Sequence, residues 1–267
     1  MEVAIIDGEE YAYESIEDIR KKQIAKYELY LRKSNIPEFY WKIDFEHYKG
    51  NQESKEFKDI VYYAENCHIE EFNHVHLFLY GNHSTQKSAL MYNIGKQAIK
   101  NGLKVKSILA GNLIDKLMKL QGYSYIEEIY NELRELKECD LLLIDDFGDA
   151  NKTIAWKGES KNLIIGAWDT FLREVFSSRT KIVMTSNYDT DFIQEYYGKS
   201  LFELLDRNFY SIQLTECIKE IRQYNVAKVF QKNIKRRKQC SQLPRPEGHG
   251  LPLRKKSRGV RVADSSC

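Results

Sequence analysis

From residue 75 onward, short apolar runs alternate with longer amphipathic stretches. That alternation predicts strands separated by crossover helices. Val75-His76-Leu77-Phe78-Leu79-Tyr80-Gly81 is an apolar run closed by glycine and predicts a strand over 75–81. Leu90, Ile94 and Ala98 then recur at helical spacing with Met91 beside them, so 87–100 reads as a helix ended by Gly102. A second strand is expected over 103–110, followed by helical stretches at 112–120 and 124–138. The most apolar run of the chain, 140–148, predicts a third strand; 161–177 reads as a helix and 181–187 as a fourth strand. A short helix over 200–208, a strand over 211–214 and a long helix from about 215 to 237 complete the pattern. The fold class expected is α/β: one parallel five-stranded sheet flanked by helices.

The ends of the chain differ from this middle. Ile16, Ile19, Ile24, Tyr27 and Leu31 have loosely helical spacing, and the first 19 residues contain no Lys or Arg, so 1–33 reads as an acidic arm followed by a helix. Pro37 breaks the pattern, an aromatic stretch follows (Phe39, Tyr40, Trp41, Phe45, Tyr48), and 54–67 is helical again. Residues 239–267 hold three of the four prolines and no Ile, Tyr, Phe, Asn or Trp, which predicts a disordered tail. Two origins for that tail stay open: a functional basic extension, or read-through into foreign sequence. The organisation expected is therefore 1–33 as an extension, 34–238 as the core with its last helix, and 239–267 as the tail.

The net charge of +2 hides an asymmetry: residues 231–267 carry +9, leaving −7 for residues 1–230. Any nucleic-acid contact is thus expected to be local rather than spread over the surface. No apolar run approaches the roughly 18 residues needed to span a bilayer, and the acidic N-terminus does not resemble a signal peptide. A cytoplasmic protein with no membrane contact is expected. The five cysteines are scattered with no C-x-x-C pair, which predicts reduced thiols rather than a zinc site or disulfides. His74 and His76 alternate along a strand-like run and are expected on one face, but two ligands do not make a metal site.

The informative constellation begins at Gly81-Asn82-His83-Ser84-Thr85-Gln86-Lys87-Ser88, between a strand and a helix. Exposed backbone N–H groups at a helix start bind phosphate oxygens. In such a loop Lys87 would neutralise the β- and γ-phosphates and the Ser88 hydroxyl would ligate Mg²⁺. The common pattern has glycine where this chain has Gln86, and often where it has Ser84. A non-glycine residue held left-handed costs roughly 1–2 kcal/mol.

Further pieces follow in order. Leu141-Leu142-Leu143-Ile144-Asp145-Asp146 is an apolar run ending in two carboxylates, the Walker B pattern. Asp145 would hold Mg²⁺ through water, and Asp146 would polarise an attacking water. Thr185-Ser186-Asn187 ends the next strand and places the Asn187 amide where sensor 1 stands in AAA+ ATPases. Arg207, in Leu204-Leu205-Asp206-Arg207, would reach the nucleotide of a neighbouring subunit.

With these pieces in place, residues 34–214 resemble the DnaC/DnaI helicase-loader family and its IstB-like transposition relatives. The resemblance runs from Ser34-Asn35-Ile36-Pro37 and Asp44-Phe45-Glu46-His47-Tyr48, through both phosphate-site motifs, through Ser178-Arg179 and Met184-Thr185-Ser186-Asn187, to Leu201–Phe209. It implies a P-loop AAA+ fold, ATP and Mg²⁺ as ligands, and a hexameric replicative helicase as partner. It also implies single-stranded DNA contact and self-association with Arg207 acting in trans. The chain departs from the family in its two missing loop glycines, in a short N-terminal part without zinc-ligand cysteines, and in Leu201-Phe202-Glu203 where Gly-Glu-Arg is usual. High Lys, Ile, Tyr and Asn usage suits a phage or mobile element with an AT-rich genome.

Lysines beside aromatics are the chemistry expected of a single-strand contact. Lys116, Lys119, Tyr123 and Tyr125 fit, in a region that faces the assembly's channel in the family; a helix pair with solvated lysines and packed tyrosines accounts for them equally. Three functions stay open: an ATP-driven helicase loader, a transposition helper ATPase, and a non-hydrolysing adaptor suggested by Ser84 and Gln86.

Overall fold

The computed structural model describes residues 2–6, 9–13, 15–121, 126–148 and 161–216. All lie within one compact unit, Met1–Lys219. Tyr123, Tyr125, nearly all of the helix expected over 215–237 and the tail over 239–267 fall outside the described residues.

The chain opens with an antiparallel pair, β1 (Glu2–Ile6) and β2 (Glu9–Tyr13), in a register that matches Ile6 with Glu9. The acidic arm is thus a hairpin. Helix α1 (Ile16–Lys33) follows, its start capped by the Ser15 side chain accepting from Asp18 N. Only Leu31 of α1 is buried, whereas Ile16, Ile19, Ile24, Leu29 and Tyr30 stay exposed. Helix α2 (Lys55–Asn66) is capped the same way by Ser54 and buries Phe57, Ile60, Tyr63 and Ala64, the stripe that a 3.6-residue period predicts.

The central sheet contains β3 (His76–Tyr80), β4 (Val105–Leu109), β5 (Leu141–Phe147), β6 (Lys181–Ser186) and β7 (Phe209–Gln213), in the order β4-β5-β6-β3-β7 with every pair parallel. Helices α3 (Lys87–Lys100), α4 (Ala110–Gln121), α5 (Glu127–Lys137), α6 (Lys161–Phe176), α7 (Thr190–Tyr197) and α8 (Lys199–Asn208) connect the strands. Strand alternation divides the core cleanly. Leu77, Leu79, Leu141, Leu143 and Val183 pack with α2 and α3 on one face. Phe78, Leu142, Ile144, Ile182 and Met184 pack with α4, α5, α6, α7 and α8 on the other. Continuous apolar runs such as Leu141–Ile144 are what a parallel sheet covered on both faces requires. Phe147 anchors the second face, with Trp168 edge-on and Tyr197 stacked, each ring 5.0 Å away.

Strands and helices expected from the pattern are found with small shifts at their ends. Helix α7 is additional: Asp189 caps it by accepting from Phe192 N at 2.9 Å, and Gly198 closes it. Residues 215 and 216, expected to begin a helix, continue past β7 without helical structure, and Leu214, expected in the strand, lies just beyond its end. Cys67 and Cys139 are buried free thiols, pushed by burial up to about 11 and about 12. Among the described residues no three His, Cys, Asp or Glu side chains cluster as a metal site. No helix among them is long and apolar enough to cross a membrane.

His74 and His76 part company. His74 is exposed at φ 66 before the strand begins, while His76 is 2% exposed between the rings of Phe176 and Phe209. His76 Nδ1 accepts from Ile182 N at 3.0 Å, which ties β3 to β6 and fixes a neutral ring with its proton on Nε2. Burial, with His74 and Lys181 adding positive charge nearby, pushes the imidazole down to about 4. The unfolded chain therefore takes up this proton first, and stability falls as pH drops from about 6.5 towards 4. Denaturant titrations across that window should show about 3 kcal/mol of loss in the wild type that is absent from His76→Asn, which keeps an acceptor but does not titrate. Equal losses in both proteins would refute the assignment.

Candidate functional site

The carboxyl ends of parallel strands are where α/β sheets bind ligands, and here β3, β5 and β6 converge. Residues 81–86 lead from β3 into α3, whose first turn carries Lys87 and Ser88. Gly81 has φ 144, and a Cβ there would lie 2.0 Å from Leu214 O. Only glycine lets the loop start so close to the strand-end backbone.

Ser84 and Gln86 adopt φ 68 and φ 63. The loop thus keeps the left-handed turns that glycines usually supply and accepts the strain. The Gln86 side chain does not turn into the loop: its Oε1 accepts from Lys49 N at 2.8 Å. Asn82 and His83 form an exposed tip, while Thr85 is fully buried and donates through Oγ1 to Asn82 O at 3.0 Å.

Lys87 is only 5% exposed; its Nζ donates to Gly81 O and Asn82 O at 2.8 Å and to Thr85 Oγ1 at 3.1 Å. The ammonium rests against the loop's own carbonyl dipoles. Asp145, also 5% exposed, is the centre of the arrangement. Its Oδ1 accepts from Ser88 Oγ at 2.8 Å and from Thr185 Oγ1, and its Oδ2 accepts from Tyr92 OH at 3.2 Å. Three secondary-structure elements are thereby joined at one carboxylate. Tyr92 lies four residues after Ser88, so the two share a helix face; that spacing was the available signal for a residue that motif reading passes over. Burial and the Asp145 charge raise the Tyr92 hydroxyl well above the usual tyrosine range.

Asp146 follows at φ 60, where the pairing of β5 with β6 shifts register between Ile144 and Phe147. The bulge turns its carboxylate away from that of Asp145. Its N–H donates to Thr185 Oγ1 at 3.0 Å, and its Oδ1 accepts from Asn187 Nδ2 at 3.4 Å. Gly148, at φ 100, leaves room for the Tyr188 ring, which a Cβ would approach to 2.6 Å.

The lead-in segment over 36–51 is fastened along α3. Tyr40 packs on Tyr92 with ring centroids 4.5 Å apart. Lys96, buried in α3, donates to Ile43 O, to Asp44 Oδ1 at 3.1 Å and to Trp41 O at 3.5 Å. Burial lowers its ammonium below the ordinary lysine value, with Asp44 opposing.

The structure therefore brings together Gly81–Ser88, Asp145, Asp146 and Asn187. It does not bring Arg207 to them. Phe209 pairs with His76, so Arg207 stands at the amino-terminal edge of the sheet, opposite the phosphate loop. It is exposed and, among the described residues, its guanidinium lies 3.4 Å from the Glu203 carboxylate. Lys116 forms an ion pair with Glu132 of α5, and Lys119 is exposed; Tyr123 and Tyr125 are outside the described residues.

The donor set fits the groups expected of it. Ser88 Oγ and Asp145 Oδ1 are hard oxygen ligands already converging, as Mg²⁺ requires, and a helix start with a lysine beside it suits a polyphosphate. The fold is α/β, a parallel five-stranded sheet flanked by helices, of the kind found in P-loop AAA+ proteins. No family model matches the chain. It is 32% identical over 135 residues to the replicative helicase loader DnaC of Buchnera aphidicola (subspecies Acyrthosiphon pisum), covering 49% of this chain and 52% of that one. The chain thus spans about half the length of the curated relative it matches. Among solved structures, the DnaC helicase loader superposes with a TM-score of 0.55 at 13% identity, over 67% of this chain and 99% of that one. A replication initiator DnaA bound to AMPPCP and single-stranded DNA gives 0.51 at 16% identity, over 65% of this chain and 50% of that one. In sequence over half its length and in fold, the chain is thus similar to helicase loaders of the DnaC/DnaI type.

The glycines supply a local check. Gly81→Ala should cost about 3 kcal/mol or more, from collision with backbone at a left-handed position. Gly166→Ala, on the exposed side of α6 with nothing within 4 Å, should gain about 0.5–1 kcal/mol. Thermal unfolding of both variants tests the opposite signs; a tolerated Gly81→Ala would contradict the loop geometry.

Proposed function

We propose that this protein is an ATP-binding helicase loader that delivers a hexameric replicative DNA helicase onto single-stranded DNA when replication begins. The observation that supports this reading best is the Ser88–Asp145 hydrogen bond, which joins two motifs 57 residues apart on a fold shared with DnaC. In this reading the loop backbone and Lys87 hold the phosphates of ATP. Ser88 and Asp145 hold Mg²⁺, which supplies charge neutralisation there. Asp146 takes the proton of the attacking water, and Asn187, hydrogen-bonded to it, orients that water. The AMPPCP bound by the DnaA neighbour supports nucleotide as the ligand of the shared fold.

Arg207 completes a neighbouring protomer's site in this account. Its exposure and its place on the far edge of the sheet favour a role in trans over one in its own site. Self-association then becomes part of activity. The apolar residues Ile16, Ile19 and Ile24, exposed along α1, offer the N-terminal extension as the helicase-facing element. The protein works in the cytoplasm, and Lys119 is the remaining described cation for a strand of DNA passing α4.

The left-handed Ser84 and Gln86 favour one second reading, an adaptor that binds nucleotide without hydrolysing it. Turnover separates the two. Wild-type protein should hydrolyse ATP, and Lys87→Ala should reduce the rate by about 100-fold or more, as loss of a phosphate-stabilising charge does. The cognate replicative helicase should co-elute with the wild type in the presence of ATP. Binding of ATP without turnover would establish the adaptor, and no helicase association with or without ATP would sink the loader.

A further inference from the structure

Position 86 departs from the usual glycine, yet its backbone is the one glycine would adopt, with φ 63 and ψ 21. The departure therefore lies in the side chain alone. That side chain has one clear polar engagement, the acceptance of Lys49 N–H by Oε1 at 2.8 Å. Lys49 is held in place from both sides. Tyr48 is buried and stacks on Phe57 with centroids 5.0 Å apart. Gly50 is enclosed so tightly that a Cβ would come within 2.4 Å of Tyr48 Oη and 2.7 Å of Glu216 Oε2.

The enclosure continues to the chain beyond β7. Asn51 N donates to Glu216 Oε2 at 2.6 Å, and Leu214 N donates to Tyr80 O at 2.7 Å. Leu214 O in turn abuts Gly81, the first residue of the loop. Residues 48–51, 81–86 and 214–216 are thus linked in a closed circuit around the base of the phosphate loop. Gln86 supplies the hydrogen bond that joins the loop to the 48–51 segment. A glycine at 86 would relieve backbone strain but leave Lys49 N–H without this acceptor and the circuit open.

We infer that Gln86 is a positioning residue that tethers the lead-in segment to the phosphate loop and so pre-forms the nucleotide cleft. Restoring the common glycine would then weaken nucleotide binding rather than improve it. This rests on the nucleotide reading given above. The physical basis is pre-organisation: a segment already held in its bound position gives up less freedom when ligand arrives. One hydrogen bond of this kind corresponds to a factor of about 2–10 in an equilibrium constant.

The test uses the full chain as wild type, Gln86→Gly and Gln86→Glu, with two readouts. The first is amide hydrogen exchange at Lys49 in nucleotide-free protein. The second is affinity for a fluorescent ATP analogue in the presence of Mg²⁺. Gln86→Gly should exchange the Lys49 amide about 2–10-fold faster and bind the analogue more weakly by a similar factor. Its thermal midpoint should stay equal or rise, because the left-handed strain is gone. Gln86→Glu, which keeps an acceptor, should exchange as the wild type does.

A rise in midpoint with a fall in affinity cannot come from a merely structural role, which would move both downward. Unchanged exchange at Lys49 in Gln86→Gly, or analogue binding as tight as the wild type or tighter, would overturn the inference. If the wild type bound no nucleotide, the reading of the site and the affinity half of the inference would fall together. The exchange comparison would still decide the tether on its own.

Discussion

A carboxylate almost fully removed from water organises this protein. Burying a charge is expensive unless hydrogen bonds replace its hydration. Asp145 meets that requirement with three hydroxyls drawn from two elements: Ser88 and Tyr92 on α3, and Thr185 on β6. Each must be held in place for the carboxylate to be tolerated, so the site and the fold are stabilised by the same contacts. The arrangement also explains why β6 lies between β5 and β3 in the sheet. It places a strand end bearing Thr185 and Asn187 directly between the carboxylates and the phosphate loop.

The second layer is the fastening of residues 36–51 to α3 and its loop. Tyr40 rests on Tyr92, which itself holds Asp145; Lys96 gathers the carbonyls of Trp41 and Ile43; Gln86 holds Lys49. These attachments fall at the two ends and the middle of one short segment. That segment joins α1, with its exposed isoleucines, to the site. A partner that engaged α1 would therefore pull on a chain whose anchor points are the groups around the carboxylate and the phosphate loop. The contacts give such coupling a physical route through packed rings and hydrogen bonds.

Much of this was legible in the residue pattern, for reasons that are themselves physical. Parallel strands covered on both faces must be apolar throughout, so Leu141–Ile144 and Lys181–Ser186 announce themselves. A phosphate site would need its residue types in a fixed order, so Gly81, Lys87, Ser88, Asp145 and Asn187 could be picked out by spacing, and the fold gathers them at the strand ends. What escaped was local or directional. Helix α7 is short and rich in aromatics, and its capping residue Asp189 outweighs its weak periodicity. The antiparallel pairing of 2–6 with 9–13 was hidden behind its acidic composition. Side-chain direction is the hardest to read: neither the bond from Lys49 N–H to Gln86 nor the pairing of Lys116 with Glu132 is indicated by spacing.

The central claim is that Ser88 and Asp145 form a working Mg²⁺–nucleotide site despite the unusual loop. Isothermal titration of the full chain with a non-hydrolysable ATP analogue, with Mg²⁺ and again with the metal chelated, tests it most directly. The account predicts saturable one-to-one binding with Mg²⁺ that weakens markedly without it, and an Asp145→Asn variant that loses this metal dependence. Binding equally tight with and without Mg²⁺, or no binding at all, would contradict it.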